Sequence, residues 1–558
     1  MDPAPGSAAR RRRLSAAVAA VLIAATAVPV AAHTNPGGFK TSQPAMLVPV
    51  MDGVTVEALL TVGETLPGGY RFEAIPDGIS FQTRGRGRVD VYLNHETSTV
   101  PFPWAFTGNG TPKATPSRTN SQNDFDNSQL SHLTLNQHGG GILHGRMALG
   151  SSAGFQRFCS NYLATAAEGF ERDLLFLNEE TSDTFNQVGL AFPPSAGSDP
   201  RQGGYVVAFD PKSGAYRTVP GMGRLNHENS VAVPGFSKLA LLTGDDTFSS
   251  NPPNSQLYLY LADSAADVWN DAGGLYAFGA NDANVDDYYD VITPGATVAG
   301  TFHPVPRAVA IGDQTALETW GQDAAHEAFD FIRIEDIAYD RTQPGVAYLA
   351  DSGRGSSNAP NGRIWKLAMS EQPDGSVDAT LTLLLNFDRD PVTGVLVGTG
   401  VAGVLHQPDN LETTASHLYI TEDPSTGNKF APGTGTTARL WRLDLASGAL
   451  EIVARVDQSL DEWPGGDGSP ADQDFTAAAN WGDWESSGII DASAAFGPGA
   501  FLIDIQAHSY WVERADGPDF FGNPDDPNVA ARTMPDGQPD WSYKREGGQL
   551  LLIRIAED

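Results

Sequence analysis

Cysteine is almost absent from this chain: its 558 residues include one, Cys159. A lone thiol excludes an intramolecular disulfide and leaves two roles open, a buried small apolar side chain or a thiolate bound to a metal. Positive charge is also scarce. The 35 Lys and Arg face 68 Asp and Glu, a formal net charge of −33, which repels phosphate backbones over most of the surface and excludes a nucleic-acid binder. Beyond the N-terminal segment, no apolar run reaches the ~20 residues that a membrane helix needs. An acidic surface serves solubility by itself, but clustered Asp and Glu repel one another unless a cation or a basic partner neutralises them.

The N-terminus carries the one long apolar run. Arg10, Arg11, Arg12 and Arg13 precede an Ala/Val/Leu/Ile-rich stretch from Leu14 to Val28, and Pro29, Val30, Ala31 and Ala32 follow. That order reads as an export signal over residues 1–32, cleaved before His33, leaving a soluble periplasmic or secreted chain over 33–558. The arginine run also fits a twin-arginine signal, so export by the Sec or the Tat route stays open.

Turn chemistry is plentiful. Glycine (60) and proline (38), beside 41% hydrophobic and 9% aromatic residues, predict many turns, few long helices and ample core material. A repeat follows: an acidic tripeptide, an apolar run ending in another acid, then a strand of form Leu/Ile-Trp/Tyr-x-Leu/Phe. Copies begin at Asn226-His227-Glu228-Asn229, Arg333-Ile334-Glu335-Asp336, Pro408-Asp409-Asn410-Leu411-Glu412 and Trp484-Glu485-Ser486-Ser487. Weaker copies place Val89 to Leu93 before Asn94-His95-Glu96, and Leu174 to Leu177 before Asn178-Glu179-Glu180. Insertions rich in Gly, Pro, Ser, Asn and Asp, such as Gly353 to Asn361 and Asp516 to Asp540, stretch the period beyond the ~40–50 residues of an ordinary blade. The expected fold is all-β, a β-propeller of six or seven blades forming one domain, with loop insertions and a few short helices. Phe158 to Phe170 and Thr315 to Phe329 are the helical candidates.

Innermost propeller strands line a central channel, so equivalent strand ends face one another. The repeat would bring Glu228, Glu335, Asp409 and Glu485 into one pocket, with Glu180 and Asp246 beside them. Carboxylates so placed raise one another's pKa unless a cation balances them, and hard oxygen ligands suit Ca²⁺ or Mg²⁺ while accepting Fe³⁺. Taken singly, acids such as Asp336, Asp351 and Asp423 also read as caps on local backbone amides. Recurrence favours metal. His95 and His227 read either as ligands or, more commonly, as satisfied structural histidines.

Several segments together resemble one family. They are Arg157-Phe158-Cys159-Ser160, Phe176-Leu177-Asn178-Glu179-Glu180, the run from Gly223 to Asn229, Arg333-Ile334-Glu335-Asp336, Gln407-Pro408-Asp409-Asn410-Leu411-Glu412, and Trp484-Glu485-Ser486-Ser487-Gly488. In their order the chain resembles the PhoX-type alkaline phosphatases, exported bacterial phosphoesterases. The resemblance implies a propeller holding iron and calcium (Fe³⁺, Ca²⁺) in its central pocket and hydrolysing phosphate monoesters outside the cytoplasm; a monomer acting on a small-molecule phosphate ester is expected. It further implies Cys159 as the thiolate on iron, Glu228 and Glu335 as carboxylate ligands, and Glu180, Asp409, Glu412 and Glu485 as ligands of the remaining ions. Arg333 corresponds to a phosphate contact, which with Glu335 forms the catalytic pair. Ser160-Asn161-Tyr162-Leu163 replaces a glycine-rich stretch of the family pattern, and Ile334 stands where proline is frequent, the marks of a divergent subfamily. Two other classes remain as alternatives: a calcium-dependent propeller lactonase or phosphotriesterase, and a non-catalytic calcium-stabilised binding propeller.

Overall fold

The computed structural model describes residues 37–96, 128–182, 201–424, 436–458, 482–508 and 547–556 apart from a few positions, with short strand pieces at 184–185 and within 511–544. The export segment expected at 1–32 lies outside them.

Among the described residues six strands lie innermost: β1 (Pro76–Arg84), β2 (Phe158–Ala164), β3 (His227–Ala232), β4 (Ile334–Tyr339), β5 (Pro408–Thr413) and β6 (Glu485–Asp491). Each begins an antiparallel meander. β1 leads to Arg88–His95, Gln129–Asn136 and Ile142–Leu149, and β2 to Leu174–Glu179, Val206–Phe209 and Tyr216–Thr218. β3 and β4 are the two edges of one nine-stranded sheet, whose halves join where Thr297–Pro304 pairs with Val377–Asn386. β5 opens a five-stranded sheet and β6 a four-stranded one. In the latter, Val54–Thr61 pairs with Gly547–Ile555, so an early strand and a late one close the sheet.

Consecutive inner strands touch in the order β1 to β6, and β6 returns to β1. Apolar side chains fill the wedges between neighbouring sheets. Tyr92 and Leu130 meet Leu175 and Val207, Phe176 and Val206 meet Leu241 and Tyr258, and Leu242 and Leu259 meet Leu349 and Trp365. Further round, Ile364 meets Trp441, Leu440 meets Ile503 and Leu551, and Val91 and Leu133 meet Leu502 and Leu550. Strands covered on both faces carry continuous apolar runs, as in Leu257–Ala262, buried throughout. Each fully buried Leu or Ile contributes about 1.5–3 kcal/mol, so the wedges stabilise the molecule and leave the axis free for polar residues. The arrangement is propeller-like and mostly β.

Two helical expectations are corrected. Phe158–Ala164 is strand β2, because Leu174–Glu179 pairs with it and supplies its backbone partners. Only Ala166–Glu168 behind it is helical, a single turn capped reciprocally by Thr165 and Glu168. At the second candidate the helix is Gln314–Gly321, capped by Asp313 and ending well short of Phe329. No helix among the described residues is long and apolar enough to cross a membrane.

Candidate metal centre

The six inner strands share one irregularity. In each, two residues stand opposite a single residue of the following strand: Asp77-Gly78 opposite Asn94, Cys159-Ser160 opposite Asn178, and Glu228-Asn229 opposite Gly244. The others are Glu335-Asp336 opposite Ala350, Asp409-Asn410 opposite Thr421, and Ser487-Gly488 opposite Asp504. A bulge bends its strand and re-aims a side chain. Repeated on six strands around one axis, it brings Asp77, Cys159, Glu228, Glu335, Asp409 and Ser487 to one level of the channel. Two of the second bulge positions must be glycine. A Cβ on Gly78 would lie 2.2 Å from the Asn161 nitrogen, and one on Gly488 2.6 Å from the Asp77 carbonyl oxygen.

Three overlapping groups of ligand atoms result, each within 4.8 Å: Asp77, Glu96 and Cys159; Cys159, Glu180 and Glu228; Glu228, Glu335 and Asp409. Cys159 Sγ donates to Asp77 Oδ2 at 2.8 Å. Burial first, and neighbouring carboxylates after it, push Asp77 and Glu228 well above the usual carboxylate range. Burial dominates likewise at Glu180, Glu335 and Asp409. It also raises the Cys159 thiol, with Asp77 and Glu228 adding to the effect.

Arg333 is paired into this cluster, and the charge of Arg157 acts on Glu180. The Arg333 Nε and Nη2 donate to Asp246 at 2.7 and 2.9 Å, Nη2 lies 2.6 Å from Glu335, and the Phe248 ring covers the guanidinium at 4.4 Å. Phe248 is 45% exposed and so marks the mouth of the site. Like charges 4 Å apart repel by about 4 kcal/mol at an effective dielectric of 20, more than Arg333 and Arg157 can offset across so many carboxylates. Among the described residues, Asp77 Oδ1 and Asp423 Oδ1 are buried without a hydrogen-bond partner. Unpaired buried oxygens beside a thiol are the donor set that hard and soft cations together would satisfy.

Of the residues singled out in the sequence, Cys159, Glu180, Glu228, Glu335 and Asp409 come together and Arg333 adjoins them. Glu180 and Asp246 reach the cluster from the ends of second strands, as Glu96 and Asp423 do, rather than from the inner strands. Glu485 precedes its bulge by two residues, so Ser487 occupies the place equivalent to Glu228. It is buried, 3.7 Å from His508 Nε2, and faces Asp423 and Asp409. Glu412 lies elsewhere: it accepts from Arg341 Nη2 at 2.7 Å and the Thr413 amide at 2.8 Å. With Ile79, Tyr162, Tyr339 and Ile489 it lines a pocket of about 210 Å³ at the far end of the channel. His227 is a core histidine, bonded to Thr243 Oγ1 and the Gly223 carbonyl and held neutral by burial, its pKa lowered to about 4. His95 bonds Ser131 and is lowered to about 3 by the same cause. Asp351 caps the amides of Ile332, Arg333 and Gly353. Sequence reasoning passes over Asp77 and Glu96 as site residues. The available signal was Pro76-Asp77-Gly78-Ile79, which matches Pro408-Asp409-Asn410-Leu411 in form.

Fold and site together define a propeller-like β protein with a buried carboxylate and thiol centre on its axis. Its fold is similar to that of PhoX from Pseudomonas fluorescens in complex with vanadate, a transition state analogue, with a TM-score of 0.53 at 15% identity over 93% of this chain and 98% of that one. The NanB sialidase of Streptococcus pneumoniae aligns over 86% of this chain and 68% of its own at 8% identity, with a TM-score of 0.35, too low to bear on the fold. No family model and no curated protein matches the chain.

Proposed function

We propose that the protein is an exported, monomeric, metal-dependent hydrolase of small phosphate monoesters, built as a six-bladed propeller whose nine-stranded sheet is two blades joined through Thr297–Pro304. One observation carries the reading: five bulges deliver Asp77, Cys159, Glu228, Glu335 and Asp409 to a single buried level that adjoins Arg333. The fold shared with a phosphatase bound to vanadate supports phosphoryl transfer as the chemistry.

Cys159, Glu180 and Glu228, whose ligand atoms lie within 4.8 Å of one another, would hold iron, and Asp77, Glu96, Glu335 and Asp409 calcium, the soft thiolate serving the former and hard oxygens the latter. When bound, these ions supply Lewis acidity toward phosphoryl oxygens and neutralise their charge. Arg333 binds the phosphoryl group: Asp246 fixes its plane, and its Nη1 makes no hydrogen bond among the described residues. Glu335 is oriented by Ser352 Oγ at 2.7 Å and by Arg333. Glu485 stands at the rim, and Glu412, committed to Arg341, takes no part.

Elemental analysis together with a phosphomonoester assay tests this. Iron and calcium should both be present, and Cys159→Ser and Glu335→Gln should each lower turnover by about 100-fold or more. A protein holding calcium alone, with both variants as active as the parent, overturns the reading. Hydrolysis of lactones or phosphotriesters without monoester turnover would replace it.

A further inference from the structure

One rung outward from the bulges, a second six-fold pattern runs round the channel. The amide at the end of each second strand donates to the carbonyl two residues before the bulge: Glu96 to Ile75 at 3.2 Å, Glu180 to Arg157 at 2.9 Å, Asp246 to Asn226 at 2.9 Å, Ser352 to Arg333 at 3.0 Å, and Asp423 to Gln407 at 3.1 Å. In the last sheet Glu485 pairs with Gln506. Ile75, Arg157, Asn226, Arg333, Gln407 and Glu485 are therefore equivalent. Because β3, β4 and β5 follow one another round the ring, Arg333 has Asn226 on one side and Gln407 on the other.

Gln407 stands out by its side chain. It is fully buried, and among the described residues neither Oε1 nor Nε2 has a hydrogen-bond partner, a condition that ordinarily costs a protein stability. Its backbone is left-handed, with φ of 51°, as is that of the equivalent Arg157 with φ of 42°, a region that residues other than glycine avoid. Two main-chain bonds hold it there, from its N–H to the Asn361 carbonyl at 2.8 Å and to its carbonyl from Asp423. Asn226 Oδ1 is also buried and unpartnered. Unsatisfied amides and backbone strain concentrate where a ligand completes the structure. Burial does not separate Gln407 from this role, since Arg333 is itself only 3% exposed.

We propose that Gln407 is a substrate-contact residue whose Nε2 donates to a phosphoryl oxygen beside the one that Arg333 binds. A neutral donor suits the place, because it holds an oxyanion without drawing the surrounding carboxylates into another ion pair. The assignment rests on the phosphoester reading above.

Metal-loaded protein and Gln407→Leu are compared for binding of inorganic phosphate and vanadate, metal content and melting temperature. The expected result is a 10- to 100-fold weaker affinity for both anions, about what loss of one hydrogen bond to a charged group gives, with metal content unchanged and melting temperature unchanged or higher. Gln407→Glu, isosteric with the parent, checks the same point where leucine disturbs folding, and should weaken phosphate binding further because it sets a negative charge against the anion. Unaltered phosphate affinity in both variants overturns the assignment. So does parallel loss of metal and phosphate, which would make Gln407 a support of the metal centre. Metal-loaded parent protein that binds neither anion removes the phosphoester reading itself, and this assignment with it.

Discussion

The two ends of the channel use the same residue types to opposite effect. At the far end every acid has a protein partner. Glu412 receives Arg341 and a backbone amide, Glu168 receives the Tyr339 hydroxyl at 3.0 Å, and Arg341 lies 4.4 Å above the Tyr339 ring while donating to its hydroxyl. Asp336, second residue of its bulge, accepts from the amides of Leu411 and Ile337 and from Asn229. At the near end, one residue earlier on the same strands, Asp77, Glu228 and Asp409 face other carboxylates. The apolar wedges account for folding, so this uncompensated charge is a cost that the fold does not require. Compensation is missing where function resides.

The largest effect should come from a ligand shared between groups, as Cys159 and Glu228 both are. Glu228 belongs to two of the three, and Glu228→Gln is expected to reduce bound metal and phosphomonoester turnover by about 100-fold or more. Elemental analysis and an activity assay on one preparation check this, and full metal occupancy in the variant would erase the contrast between the two ends.

A smaller effect is expected in stripped protein as a function of pH. Burial raises the near-end carboxylates above their ordinary values, as it also raises Glu412 and, to about 7, Asp336 at the far end, so the native state holds protons that the unfolded chain has released. Stability should then be greatest below the unfolded carboxylate pKa of ~4 and fall as pH rises toward the folded values. Melting temperatures of chelated protein should accordingly decline from about pH 5 to about pH 8. Restored calcium and iron should flatten that slope and, at 100 times their dissociation constants, add about 2.7 kcal/mol per site. A chelated protein whose stability rises with pH would show that the near end is already compensated.

The acids were legible in the sequence because each follows a recognisable strand pattern, and the repeat around Glu228, Glu335 and Asp409 pointed to a common level. The bulges were not. Two residues opposing one is a property of strand pairing, and pairing partners such as Asp77-Gly78 and Asn94 are not adjacent in the chain. Hence no adjacent acid marks Asp77, and the triplet pattern sets Glu485 two residues out of register with Ser487. Glu180 reads from the sequence as a neighbour of the inner-strand acids, and it does follow the end of a second strand, Leu174–Glu179. The helical reading of Phe158 to Phe170 failed because short apolar runs fit both periods, and only the pairing with Leu174–Glu179 decides between them.

The smallest expected effect belongs to the far end, and it separates the two regions most cleanly. Glu412 stands only three residues after Asp409, on the same strand, so proximity in sequence would make both ligands. Geometry divides them, since Glu412 is already bonded to Arg341 and Thr413. Glu412→Gln keeps an acceptor for the Thr413 amide and removes only the charge facing Arg341. It should leave metal content and turnover at parental levels while lowering stability by about 1 kcal/mol, as measured by urea denaturation of the metal-loaded protein. Loss of a metal ion in this variant would place Glu412 in the centre after all, and the two ends of the channel would then form one site.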